Sequence, residues 1–185
     1  MSGYTGSMEN SEVSARASAR PPAELEIRAL TDADPPIFAA AFSAIGWNKP
    51  ASLYRGYLEE QVAGARSVLV ATVGGEFVGY VTVRWGGRVD GVPEIEDFNV
   101  LPPWRRRRIG TALLDEAERA VAARSPQVAI GVGADRDYGP AQRMYALRGY
   151  APDARGLLWR GEQLRYGDVV TVDDDLILYM YKRLA

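Results

Sequence analysis

Glu94-Ile95-Glu96-Asp97-Phe98-Asn99-Val100-Leu101-Pro102-Pro103-Trp104-Arg105-Arg106-Arg107-Arg108-Ile109-Gly110-Thr111-Ala112-Leu113-Leu114 is the stretch whose reading decides the fold. It opens as a strand. Ile95, Phe98 and Val100 are β-favouring residues set among acidic ones, and two prolines stop the run. It closes as a helix, because Ile109, Leu113, Ala117, Ala120 and Val121 recur at helical spacing. Between them lies a basic turn. The first turn of a helix carries unpaired N–H groups and the positive end of the dipole. Four arginines crowd that end, and Gly110 permits close approach of a ligand to the backbone. Strand, basic turn and helix together predict a cradle for a phosphate or pyrophosphate.

Composition narrows the chemistry. The chain has 185 residues, a formal net charge of −2, and neither cysteine nor histidine. Its length suits one domain with a sizeable core. The net charge argues against general nucleic-acid affinity, so the arginine run is local. Without cysteine there are no disulfides and no thiolate metal ligands, and without histidine the commonest general base is missing. No metal site is expected. No apolar run reaches membrane-spanning length. The N-terminus lacks the apolar stretch of a secretory signal, so a cytoplasmic protein is the expectation.

In chain order, residues 1–22 are rich in Ser, Gly and Ala and read as a disordered leader or tag. The domain is expected over 23–185. Glu24–Leu30 alternates as a first strand. Thr31 or Asp32 is placed to cap a helix carrying Ile37, Phe38, Ala41, Phe42 and Ile45, which Gly46 ends. A second helix from about Pro50 to Ala63 has Leu53, Tyr57, Leu58 and Val62 on one side. Ser67–Val73 and Glu76–Trp85, joined by Gly74-Gly75, read as an antiparallel hairpin. Beyond the cradle helix, on which Asp115 and Arg119 are placed to pair, Gln127–Val132 is a short buried strand. It is parallel to 94–100 through a right-handed crossover. Gly139-Pro140 starts another helix and Gly149 ends it. Gly156–Arg160 and Leu176–Tyr181 form a final strand pair.

Two motifs share a pattern. Val100-Leu101-Pro102 followed by Arg105-x-x-Arg108-Ile109-Gly110-Thr111 resembles the acetyl-CoA-binding motif of the GNAT N-acetyltransferase superfamily, Arg/Gln-x-x-Gly-x-Gly/Ala, with Arg108 in place of the first glycine. Tyr138-Gly139-Pro140-Ala141-Gln142-Arg143-Met144-Tyr145-Ala146-Leu147-Arg148-Gly149-Tyr150 resembles that family's Asn-x-x-Ala-x-x-x-Tyr-x-x-x-Gly-Phe/Tyr segment, with Tyr138 in place of Asn. The resemblance implies an α/β fold: a mixed, mostly antiparallel sheet with a central parallel strand pair, flanked by helices. It implies acetyl-CoA as cofactor. The main-chain amides and side chains of Arg105, Arg106, Arg107, Arg108, Ile109, Gly110 and Thr111 would hold its phosphates. Phe98, Asn99, Val100, Tyr138 and Ala141 would flank the thioester arm, which in this family lies between splayed central strands. Tyr145 falls where the family places a tyrosine near the thioester sulfur, and is the expected acid for the leaving thiolate. The two early helices would wall the acceptor site, with Trp47, Tyr54 and Tyr57 as contact candidates.

Direct attack in a ternary complex needs no protein nucleophile, which a chain without cysteine allows. The amine must still lose a proton, and the thioester oxygen must be met by donors such as the Asn99 and Val100 N–H groups. Glu94, Glu96 and Asp97 are base candidates, with Glu96 and Asp97 favoured. Strand alternation predicts Glu94 and Glu96 on a face with Phe98 and Val100, and Asp97 with Ile95 and Asn99. Acidic residues at 94–97, at Asp135 with Asp137, and at 173–175 predict a cationic acceptor, with Glu94 and Asp173 in contact with it. The expected partner is therefore a small-molecule or peptide amine, not nucleic acid or a membrane, and the protein a monomer or homodimer. The rival readings are a non-catalytic acyl-CoA-binding module and, more remotely, an RNA-binding protein using the arginine turn.

Overall fold

The computed structural model describes residues 20–184 apart from Val89; most of the expected leader lies outside the described residues. An eight-stranded sheet runs through the domain in the order β1-β2-β3-β4-β5-β8-β6-β7. Its strands are β1 (Leu25–Ala29), β2 (Arg66–Val73), β3 (Glu76–Arg84), β4 (Glu94–Val100), β5 (Gln127–Gly133), β6 (Ala151–Trp159), β7 (Glu162–Gln163) and β8 (Leu176–Arg183). All neighbours are antiparallel except β4 and β5. That is the expected mixed sheet with one central parallel pair. The two-residue β7 is an addition to the expected order.

Two helix pairs cover the two faces. Helices α3 (Ile109–Ala122) and α4 (Gly139–Leu147) lie on one face. There Ile109, Leu113, Leu114, Ala117 and Val121 pack on Val81, Val83, Ile95, Val128 and Ile130. Leu114 joins the expected stripe, and Ala120 is only half-buried. Helices α1 (Asp34–Ala44) and α2 (Ala51–Val62) cover the other face over β1 to β3. Their core is aromatic: Phe38 stacks on Phe77 at 3.9 Å between ring centroids, and Tyr54 meets Tyr80 edge-on at 5.6 Å. Each such pair adds about 0.5–1.5 kcal/mol beyond its area. Burial on both faces explains why β3 is nearly all apolar rather than alternating.

Local chemistry departs from expectation in three places. Neither Thr31 nor Asp32 caps α1. Instead the Asp34 carboxylate accepts from the Thr31 amide and hydroxyl at 2.7 Å and from Arg28. On α2 the buried residue is Tyr54, while Val62 is 84% exposed. Arg119 pairs with Glu116, not Asp115, which turns to Arg148 at 2.6 Å. The α4 terminus follows its pattern. Gly149 takes φ +88, Tyr150 N–H donates to the Tyr145 carbonyl, and the buried Tyr150 ring lies 5.9 Å from that of Tyr145.

Glu118 on α3 fastens the sheet's far end. It accepts from Arg148 at 3.0 Å, Tyr150 at 3.2 Å and Lys182 at 2.6 Å, joining α3, the end of α4 and β8. Burial pushes its carboxyl up, but the bonds from Arg148 and Lys182 prevail and hold it below its ordinary value. A depressed acid stabilises the fold above its unfolded pKa and loses that contribution as pH falls through the folded one. Glu118→Gln is expected to cost about 2–4 kcal/mol near neutrality. The loss should shrink as pH drops through the acid range, as read by denaturant unfolding at a series of pH values.

Candidate active site

The parallel pair is short. β4 and β5 are in register only at Glu94↔Ala129 and Ile95↔Ile130, although each strand runs several residues further. Beyond Ile95 they part. On its other side β4 stays paired with β3, with Tyr80↔Asn99 and Gly79↔Val100, and Leu101 N–H donates to the Val78 carbonyl. Amide directions alternate along a strand. The Asn99 N–H therefore turns toward β3, and those of Phe98 and Val100 turn toward the gap. Of the two expected oxyanion donors, the Val100 N–H faces the gap and the Asn99 N–H is turned to β3.

The gap opens toward the start of α3. The turn Leu101–Arg108 begins with a single 3₁₀ turn at Pro102–Trp104. Arg106 and Arg108 both take left-handed φ, +61 and +63. The second value, at the helix N-cap, is a conformation that favours glycine. No side chain caps α3, so the Ile109, Gly110 and Thr111 amides face outward as a donor set for an anion. That set fits the pyrophosphate of acetyl-CoA. The arginine side chains are exposed and partly engaged: Arg105 Nε donates to the Val100 carbonyl at 3.0 Å, and Arg107 lies over the Trp104 ring at 4.9 Å. Ile109 is buried, so only its amide is available. Gly110 has a packing reason as well. A Cβ there would sit 3.0 Å from Phe98 Cζ, so the missing side chain lets helix and strand come together.

Tyr138, Ala141 and Tyr145 stand on and before α4, over the end of β5. The Tyr138 ring covers Gly133 so closely that a Cβ on that glycine would overlap it, and its hydroxyl reaches Asp174 at 3.2 Å. Burial, chiefly, pushes Tyr138 up to about 12. Tyr145 is 5% exposed. Burial first, and the neighbouring Tyr138 second, raise it well above an ordinary phenol, so it keeps its proton at neutral pH. No hydrogen bond to its hydroxyl occurs among the described residues, which leaves that proton free to be donated.

The acidic strand is rearranged by a bulge. The β3–β4 register slips between Tyr80 and Thr82, and Asp97 takes φ +43. The extra residue reverses the alternation after it. Ile95, Phe98 and Val100 share the face of α3, while Glu96 and Asn99, opposite Thr82 and Tyr80, share the other. The expected grouping of Glu96 with Phe98 and Val100 is thereby corrected.

On that other face the carboxylates have partners. Glu96 meets Arg66 at 3.0 Å, Arg84 at 3.1 Å and Arg88 at 3.3 Å. Glu94 is buried, accepts from the Arg88 amide at 3.1 Å, and is raised mainly by burial. It is enclosed under the 85–93 loop rather than lining an open site. Asp97 accepts from Lys49, from the Tyr80 hydroxyl, from Tyr57 at 3.0 Å and from Asn99 Nδ2 at 2.8 Å. Its side chain remains 18% exposed.

Three acceptor-side expectations separate. Trp47 is 40% exposed, stacks on Phe42 at 5.7 Å, and lines a concavity with Ala39, Ser43, Asn48 and Lys49. Tyr54 is fully buried in the aromatic core. Its hydroxyl is the one buried side-chain polar atom among the described residues without a partner. Asp173 is a turn former, accepting from Trp159 Nε1 at 3.1 Å and the Asp175 amide at 3.0 Å. Sequence reasoning missed Lys49, Tyr80 and the Arg66–Arg84–Arg88 set. Lys49 left a trace: it and Lys182 are the two lysines among 22 basic residues, the other twenty being arginine.

Known proteins share this fold. A ribosomal-protein-alanine N-acetyltransferase from Brucella melitensis superposes with a TM-score of 0.65 at 22% identity, over 86% of this chain and 99% of its own. A chimeric spermidine N-acetyltransferase from Vibrio cholerae and hSSAT gives 0.65 at 14%, over 86% and 95%. An N-acetyltransferase from Thermoplasma acidophilum in complex with coenzyme A gives 0.60 at 14%, over 86% and 99%. No curated protein sequence matches the chain. The family model described as "Acetyltransferase (GNAT) family" matches residues 27–150. The chain therefore belongs to the GNAT acetyltransferase family, whose acetyl donor is acetyl-CoA.

Proposed function

We propose that this protein is an acetyl-CoA-dependent N-acetyltransferase that passes the acetyl group to a primary amine, cationic before reaction, by direct attack in a ternary complex. The observation that carries this reading is the gap beyond Ile95, with the Val100 amide turned toward it and the uncapped start of α3 following on the same strand–turn–helix. Bound acetyl-CoA supplies the activated thioester. The amides of Ile109, Gly110 and Thr111 bind its phosphates. Val100 N–H is the donor for the oxygen that gains charge. The Tyr145 hydroxyl holds the proton that the departing sulfur takes. Asp97, fixed on its bulge, receives the ammonium of the acceptor, and either Asp97 or water takes its proton. Glu96 is the less available carboxylate, because three arginines already hold it. The small-molecule or peptide nature of the acceptor follows the range of the family's structural neighbours.

Thiol release from acetyl-CoA across a panel of amines tests the reading. Turnover is expected, with KM for the best acceptor rising with salt as its ammonium is screened. Binding of acetyl-CoA without turnover on any amine would favour a non-catalytic acyl-CoA-binding module.

Two substitutions probe the parts. Tyr145→Phe removes one hydroxyl, and kcat should fall by about 100-fold with little change in cofactor affinity. Wild-type kcat would return Tyr145 to core packing. Gly110→Val drives methyl groups into Phe98. It should lower stability by about 1–3 kcal/mol and weaken coenzyme A binding, measured by melting and titration. Unchanged affinity in the folded variant would remove the cradle from α3.

A further inference from the structure

The acceptor side of the site already holds an amine. Lys49 comes from the connection between α1 and α2, and its Nζ lies on the Asp97 carboxylate and 3.2 Å from the Tyr80 hydroxyl. The ammonium stands 5.6 Å from the Phe42 ring centroid and 5.7 Å from that of Tyr80, an aromatic setting that suits a cation. Asp97 itself is held by groups on regular elements: Tyr57 from α2, Tyr80 from β3 and Asn99 from β4. Lys49 is the one donor of the four that belongs to a loop. Its side chain is 21% exposed, beside the concavity shared with Trp47 and Asn48.

The residue type is informative. Arginine, used twenty times in this chain, offers a planar, weakly hydrated guanidinium able to bind a carboxylate through two bonds. Lysine instead carries a primary alkyl ammonium, the head group of the acceptor proposed above. Lys182, the second lysine, is bound to Glu118 near the Tyr150 ring, on the α3 side of the sheet.

We propose that Lys49 is an intramolecular stand-in for the acceptor: its ammonium occupies the acceptor-amine seat on Asp97, and an incoming primary ammonium binds by displacing it. The proposal rests on the transferase reading for the identity of the seat. A tethered competitor lowers the apparent affinity of a free ligand by the fraction of molecules in which the seat is open. Lys49 therefore sets how tightly, and how selectively, cationic amines bind.

The test uses the full chain without acetyl-CoA and n-butylammonium, a copy of the lysine side-chain end, as the titrant in calorimetry. Lys49→Met should bind the probe more tightly than wild type by about 10-fold or more, and the probe should raise its melting temperature more than that of wild type. Lys49→Arg, which keeps a cation on Asp97, should stay within about threefold of wild type. If Lys49→Met does not melt cooperatively, Lys49→Gln, neutral but polar, takes its place. Affinity in the neutral variant equal to or weaker than wild type overturns the proposal. The two readings fail separately. Tight probe binding by Lys49→Met with no thiol release on any amine defeats the transferase and leaves the seat, whereas turnover with a Kd indifferent to residue 49 defeats the seat and leaves the transferase.

Discussion

Two residue pairs tie β4 to β5, and the site depends on that ladder ending at Ile95. A parallel pair zipped along its whole length would turn the Phe98 and Val100 amides into sheet bonds and bury them. Because it stops, those N–H groups face a gap, in a molecule where most buried backbone groups are paired. The gap is sustained from its flanks. β4 remains bonded to β3 and β5 to β8 along their lengths, so the opening costs the sheet only the bonds between its central strands.

The bulge at Asp97 is the second half of that arrangement. One extra residue on β4 allows Ile95, Phe98 and Val100 to stay on the core face under α3. It also moves Asp97 to the acceptor face among Tyr57, Tyr80 and Lys49. A regular strand cannot do both, since its faces alternate strictly. The positive φ of Asp97 is a local cost of about 1–2 kcal/mol, offset by the four donors that hold its carboxylate. Left-handed backbone at Arg106 and Arg108 serves the same end of the sheet, turning the chain sharply so that α3 begins beside the gap with its first amides uncapped.

The electrostatics of the acceptor face differ from a bare acidic cleft. Glu96 is shared by three arginines, Glu94 is enclosed, and Asp135 and Asp173 cap turns. Asp97 stands on its bulge among Tyr57, Tyr80 and Asn99, and an ammonium from the chain itself rests on it. In the proposed reading, recognition of an amine is a replacement of one ammonium by another, and local fit matters there more than overall field.

Much of the architecture was legible from local pattern. The Gly74-Gly75 hairpin, the helical stripe from Ile109 to Val121, the Gly149 terminus and the parallel order of β4 and β5 follow from period, turn chemistry and crossover rules that act over a few residues. So do the turn into α3 at 105–111 and the helix around Tyr145, because contiguous residues carry them. What only the tertiary structure decided depends on neighbours distant in the chain. The bulge needs β3 opposite β4 to exist, and it overturned the alternation argument. Tyr54 could not be told from a lining residue until Phe38, Phe42 and Tyr80 closed around it. The packing of Gly110 against Phe98 across the turn was not visible either. Lys49 and Asp97 are far apart in sequence and share no pattern. Only folding brings that ammonium and that carboxylate together, because a through-space contact leaves no periodic mark on a chain.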